Sequence, residues 1–265
     1  MEVYGLVGNP VGHSLSPALH EAAYEAVGLD ARYVILEPAR SGIDQAISGA
    51  AALGLAGLNV TTPFKRDVVD RVDLDPLAAR IGAVNTIDFA TDPPSGFNTD
   101  AAGVRRALEH HEVPLTGTDA LVLGAGGAGR AIAIALDDAG ATVRVANRTV
   151  AKATDLADQL GGTGYGLDAL PELVPEMELL INATTVGLES HQTPVPADLL
   201  HGQLVVMDAV YRPVETRLLR DAAVSGARTI DGGWMLLYQG VEAFERWTGS
   251  AAPVDAMHGA LRERL

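Results

Sequence analysis

Short apolar runs that stop at glycine, asparagine or a hydroxyl residue alternate along this chain with longer stretches of helical composition. Residues 2–7, 32–37 and 57–60 read as buried strands, separated by helices expected over 17–27, with Ser16 as its cap, and 43–53. A helix around 76–80, a strand across 82–87 and a helix over 101–111 continue the order. The alternation then resumes, with strands at 121–123 and 143–146 flanking a helix at 131–139, a helix near 151–160, and strand ends at 179–182 and 204–208. A helix at 217–224 and a short strand at 228–230 follow, while 161–175 shows no clear period. Gly232 and Gly233 break the pattern and start a long helix through 247, with Leu236, Leu237, Phe244 and Trp247 facing a core. Pro253 opens a final helix. Alternation of this kind predicts two α/β layers joined by a linker at 113–117.

The glycines give the second layer a chemistry. Gly124-Ala125-Gly126-Gly127-Ala128-Gly129 lies between a short apolar strand and an alanine-rich helix, as the first turn of a βαβ unit. There Gly124 permits a tight turn, Gly126 lets backbone approach a pyrophosphate, and Gly129 lets helix and strand pack closely. The next strand ends at Asn147-Arg148-Thr149, with Lys152 one turn on. An NAD site places a carboxylate at that strand end, whereas a cation accommodates the extra phosphate of NADP. The residues present favour NADP. Thr149 also suits an N-cap for the following helix, and the two readings are compatible.

Composition narrows the rest. The chain of 265 residues carries 34 acidic and 19 basic residues, net −15, which argues against a nucleic-acid partner. No apolar run is long enough to span a bilayer and no basic, apolar leader precedes the first strand, so a cytoplasmic protein without a membrane partner is expected. Cysteine is absent, and the seven histidines show no metal-ligand spacing, so no metal is expected. The acidic excess suits a host with high internal salt, where self-repulsion is screened. Lys65 and Lys152 are the only lysines, which makes Lys65, in the loop after the third strand, conspicuous. Loops beyond the carboxyl ends of parallel strands are where ligands bind. Ser16 reads first as an N-cap, yet with Ser14 it also offers two hydroxyls at an open helix start, suited to a carboxylate. Asp100 has the same ambiguity, as N-cap or as functional carboxylate.

Taken in order, Gly8-Asn9-Pro10 with Ser14-Leu15-Ser16-Pro17, Asn59 to Lys65, Gly82 to Thr86, Asn98-Thr99-Asp100, the glycine turn, Asn147-Arg148-Thr149, Asn182-Ala183-Thr184 and Met235 to Gln239 resemble the shikimate dehydrogenase family over essentially the full chain. The resemblance implies NADPH-dependent reduction of 3-dehydroshikimate to shikimate in aromatic amino-acid biosynthesis. It implies a substrate-binding α/β domain over 1–100, a doubly wound Rossmann-type NADP domain over 101–235, and C-terminal helices over 236–265 returning to the first domain. By matching motif, Ser14, Ser16 and Tyr211 would hold the substrate carboxylate, and Thr61, Lys65, Asn85, Asp100 and Gln239 the ring hydroxyls and reacting oxygen. Lys65 would be the catalytic acid–base and Asp100 its partner. Gly124, Ala125, Gly126, Gly127, Ala128, Asn147, Arg148, Thr149 and Lys152 would line the NADP site, with Ala209 and Gly232 near the nicotinamide. Trp234 stands where the family has a small residue, and Ala209 where it has a larger apolar one.

Three alternatives stay open at this stage. One is a relative that accepts quinate or uses NAD; another is a methyltransferase, whose cofactor wants an acidic residue where Asn147 stands. The third is a non-catalytic regulator that binds NADP or shikimate, which would have no need of Lys65 and Asp100. Monomer and homodimer are both compatible with the sequence.

Overall fold

The computed structural model describes all 265 residues, and they divide into two compact units: Met1–Gly103 with Leu237–Arg264, and Val104–Leu236 with Leu265.

The first unit begins β1 (Glu2–Val7), α1 (Ser16–Val27), β2 (Ala31–Leu36), α2 (Ile43–Ala52) and β3 (Gly57–Val60). It continues with β4 (Asp73–Leu74), α3 (Pro76–Ile81), β5 (Thr86–Asp88), β6 (Ser95–Phe97) and the start of α4 (Thr99–His110). Its sheet runs β2-β1-β3-β5-β6-β4. β1 is parallel to β2 and β3, as the early pattern predicts, but β5 and β6 are antiparallel additions, so the sheet is mixed. Chain order reverses between β1 and β3, the arrangement that opens a crevice beyond the strand ends. Val7 and Val60 are in register there, so the two loops that follow leave side by side. A core of Val7, Ile43, Ile47, Leu58, Val60, Phe64, Val68, Val84 and Ile87 lies under them. Phe64 is fully buried and anchors the loop one residue before Lys65.

The second unit comprises β7 (Asp119–Leu123), α5 (Gly127–Asp138), β8 (Thr142–Ala146), α6 (Val150–Gln159), β9 (Gly164–Tyr165) and α7 (Leu170–Leu173). β10 (Leu179–Asn182), β11 (Val205–Asp208), α8 (Arg217–Val224), β12 (Arg228–Ile230) and the start of α9 (Gly232–Thr248) complete it. All six strands are parallel, in the order β12-β11-β10-β7-β8-β9. Strands buried on both faces by helices read as continuous apolar runs, which is why 121–123 and 179–182 were legible. The direction of winding switches between β7 and β10, as in doubly wound nucleotide folds. Leu123, Ala146, Asn182 and Asp208 stand in one register row at the carboxyl edge.

The remainder of α9 and α10 (Val254–Arg262) belong to the first unit, where α10 packs on α1. Trp247 crosses the first sheet, its indole N–H donating to the Ile87 carbonyl at 3.0 Å. A Cβ at Gly57 would collide with that indole. No helix is long and apolar enough to cross a membrane.

Candidate active site

Lys65 is held from its backbone outward. The Val84 N–H donates to the Lys65 carbonyl at 2.7 Å, and the Phe64 N–H closes a turn onto the Thr61 carbonyl at 2.9 Å. The ammonium reaches Asp100 Oδ2 at 2.5 Å, with the two side chains 18% and 8% exposed. Asp100 is fixed on its other side by Asn85 Nδ2, which donates to Oδ1 at 2.9 Å, while its own N–H donates to Asn98 Oδ1. Asn85, only 2% exposed, also donates to Thr99 Oγ1 and accepts the Thr99 N–H at 2.7 Å. A carboxylate with both oxygens engaged points its partner ammonium in one direction.

The sequence reading of Asp100 as an N-cap gives way here. α4 starts at Thr99, and the Asp100 side chain turns to Lys65 and Asn85 instead of to its own helix. Ser16 departs from its capping reading in the same way. Leu15, in a helical conformation, occupies the cap position of α1 without a side-chain cap, and Ser16 is the first helical residue. Ser14 Oγ accepts the Ser16 N–H and donates to Ser16 Oγ, both at 3.2 Å, which places the two hydroxyls together. Thr149 does hold the cap position of α6, but its side chain makes no capping bond.

Thr61 follows β3 directly, and its methyl group faces Gly8, where a Cβ would leave it no room. Gln239 lies on α9 in the same unit, next to Gly240, whose Cα faces Leu19 and His20 of α1. Tyr211 lies in the second unit, just past β11, where burial pushes its phenol pKa up.

Two supporting groups escaped the sequence reading. Glu37 Oε1 accepts the N–H groups of Val11 at 2.6 Å and Gly12 at 2.8 Å, holding the loop that carries Ser14. Asn59 is buried in β3, a polar residue in an otherwise apolar strand, and that contrast was its available signal.

In the second unit the glycine turn has the shape its sequence predicts. Gly124 has φ +105°, which favours glycine. A Cβ at Gly129 would strike the Gly124 carbonyl, whereas at Gly126 it would project into open space before α5. That helix begins without a side-chain cap, so the first-turn N–H groups of Gly127 and Ala128 are turned outward for an anion. Ala125 is buried behind the turn. At the end of β8, Asn147 Nδ2 donates to the Thr149 carbonyl at 2.9 Å and shapes the bend. Arg148 and Lys152 are exposed and unengaged by any carboxylate in a strongly acidic chain. Gly232 packs under Ala209, where a Cβ would meet the backbone carbonyls of Asp208 and Ala209. Trp234, where the family has a small residue, lies tilted against His110 with ring centroids 4.2 Å apart and meets His111 edge-on at 5.1 Å. These features fit a dinucleotide with a phosphorylated ribose.

A glycine turn, an uncapped helix start and free cations at the next strand end define a nicotinamide-dependent dehydrogenase class. Residues 6–87 match the family description "Shikimate dehydrogenase substrate binding domain", 106–197 "Shikimate / quinate 5-dehydrogenase" and 232–262 "Shikimate 5'-dehydrogenase C-terminal domain". The chain is 63% identical to a shikimate dehydrogenase (NADP(+)) of Haloarcula marismortui and 64% identical to one of Halobacterium salinarum, covering 100% of both chains in each case. Among solved structures, shikimate 5-dehydrogenase from Thermus thermophilus in complex with NADP(H) and shikimate superposes with a TM-score of 0.93 at 41% identity, again over 100% of both chains. The chain belongs to the shikimate dehydrogenase family, and its haloarchaeal relatives agree with a salt-adapted source.

Proposed function

We propose that this chain reduces 3-dehydroshikimate to shikimate with NADPH, reversibly, in aromatic amino-acid biosynthesis. The Lys65–Asp100–Asn85 array carries the reading, because a partly buried ammonium aimed by a carboxylate with both oxygens engaged is what ketone reduction requires.

NADPH, when bound, supplies the hydride. Gly124, Gly126, Gly127 and Ala128 would receive its pyrophosphate, Asn147, Arg148, Thr149 and Lys152 the phosphorylated ribose, and Ala209 and Gly232 the nicotinamide end. On the substrate side, Ser14, Ser16 and Tyr211 would hold the carboxylate with neutral donors. Thr61, Asn85 and Gln239 would orient the ring hydroxyls. As the carbonyl carbon gains hydride, its oxygen becomes an alkoxide; Lys65 stabilises that charge and delivers the proton that completes the hydroxyl. Asp100 holds the ammonium during this transfer. In the oxidative direction neutral Lys65 takes the hydroxyl proton. The reading places the enzyme in the cytoplasm as a monomer or homodimer.

The test is NADPH formation from shikimate and NADP in molar KCl, with NAD and quinate as parallel substrates. Lys65→Ala should lower kcat by roughly 10³-fold while leaving the KM for shikimate within a few-fold. Near-normal turnover by that variant would refute the assignment. Faster turnover with quinate and NAD would move the protein to the broader-specificity reading.

A further inference from the structure

Asn85 can hold Asp100 only with its amide turned one way round. Nδ2 must face the carboxylate, so Oδ1 must face donors. The Thr99 N–H, a donor that cannot become an acceptor, supplies one at 2.7 Å. Thr86 supplies another, its Oγ1 donating to Asn85 Oδ1 at 3.0 Å. With these donors on one side and Asp100 Oδ1 at 2.9 Å on the other, the amide has a single satisfied arrangement.

Thr86 is itself held to the donor's part. It opens β5, is fully buried, and stands in register with Asn59 of β3 and Phe97 of β6. Asn59 Nδ2 donates to Thr86 Oγ1 at 3.1 Å and to the Asn85 carbonyl at 3.3 Å. A carbonyl only accepts, so the nitrogen of the Asn59 amide faces it. That leaves Asn59 Oδ1 for the Tyr33 phenol, which donates at 2.6 Å from β2, on the far side of β1. A hydroxyl that receives a hydrogen bond from Asn59 still has its one proton to give. Its acceptors are Asn85 Oδ1 and, at 3.2 Å, Thr99 Oγ1, which already receives Asn85 Nδ2 at 3.0 Å. The bonds run one way, from Tyr33 through Asn59, Thr86 and Asn85 to Asp100.

We propose that Thr86 is a positioning residue for the reaction: its hydroxyl locks the Asn85 amide, so that Asp100 keeps one oxygen engaged and offers the other to Lys65. This rests on the role given to Lys65 above. A threonine that only filled the core would need one partner for its hydroxyl. Here donor and acceptor are both committed, to two amides that present opposite faces to it.

The experiment measures shikimate oxidation by NADP in molar KCl for a graded series at this position. Thr86→Val, which keeps the shape and removes the hydroxyl, should lower kcat about 10- to 50-fold, with the KM for shikimate within about fivefold and that for NADP within about twofold of the parent's. Thr86→Ser should restore kcat to within about threefold of the parent's. Thr86→Cys, whose thiol is a weak donor, should fall between them and serves if the valine variant does not fold. Ile87→Val is the structural control: its side chain is fully buried in the apolar core, so it should lower the urea midpoint and leave kcat within about twofold. Parental kcat in Thr86→Val or Thr86→Cys would overturn the proposal. So would a serine variant as slow as the valine one, or a kcat that falls with stability in Ile87→Val as it does in Thr86→Val. Lys65→Ala separates the two levels: if it stays active, the proposed site is wrong; if it is inactive and Thr86→Val is normal, only the positioning role fails.

Discussion

Asn182 and Asp208 stand opposite each other at the carboxyl ends of β10 and β11, and Asn182 Nδ2 donates to Asp208 Oδ1 at 2.8 Å. Both are fully buried. Asp208 also accepts from the Val210 N–H at 3.0 Å and from Thr216 Oγ1 at 2.7 Å, so one carboxylate ties two strand ends to the start of α8. Ala209, beside Gly232, follows it directly. Asp208→Ala takes the carboxylate away from three donors in the core and should cost roughly 3 kcal/mol, read as a lower urea midpoint. A loss under about 1 kcal/mol would show that the unit does not depend on this knot.

The same carboxylate predicts a pH response. Burial raises the Asp208 pKa, outweighing the hydrogen bonds from Thr216, Val210 and Asn182 that lower it. The folded protein therefore keeps a proton that the unfolded chain releases once pH passes the ordinary carboxylate value. Its contribution to stability falls as pH rises from the ordinary value through the raised one. Asp208→Asn, unable to titrate, should flatten that part of the stability curve; an unchanged curve would assign the slope to other groups.

Glu37 works in the opposite sense. The Val11 and Gly12 N–H groups lower its pKa, so the contact is complete above the ordinary carboxylate value and is lost as pH falls through the depressed one. Glu37→Gln should mimic the acid form at neutral pH, raising the KM for shikimate about two- to fivefold with kcat preserved. Equal effects on the KM for NADP would count against a local role in the Ser14 loop.

Arg148 and Lys152 allow a cleaner separation, because both are exposed and neither is paired in the protein. Arg148→Ala should raise the KM for NADP roughly 10- to 100-fold, leave any activity with NAD unchanged, and alter stability by no more than about 0.5 kcal/mol. A parallel loss with NAD would place the arginine elsewhere than at the ribose phosphate.

Where backbone and burial act locally, the sequence was readable. β1, β3, β7 and β10 are largely apolar and stop at a loop after Val7, Val60, Leu123 and Asn182, and Gly124 has the positive φ that its place in the turn requires. β4 and β9 have two residues each, too few for any period to register. Ser16 and Asp100 were open to reading as caps because serine and aspartate favour helix starts. The neighbouring Ser14 in one case and the distant Lys65 in the other claim those side chains first. The antiparallel joining of β5 and β6 depends on neighbours brought in by the sheet, as does the contact between Tyr33 and Asn59 across β1. Neither relationship has a spacing along the chain.

The shortness of the outer strands of the parallel sheet matters most in the salt that the acidic composition suits. In about 1 M salt the Debye length is about 3 Å, so a net charge of −15 keeps copies of the chain apart only weakly. Protection against strand addition must then come from shape. The parallel sheet is bounded by β9 and β12, two and three residues long, leaving little ladder for a second chain to join. Crowded, concentrated brine is a medium in which blunt sheet margins do the work that electrostatic repulsion does in dilute buffer.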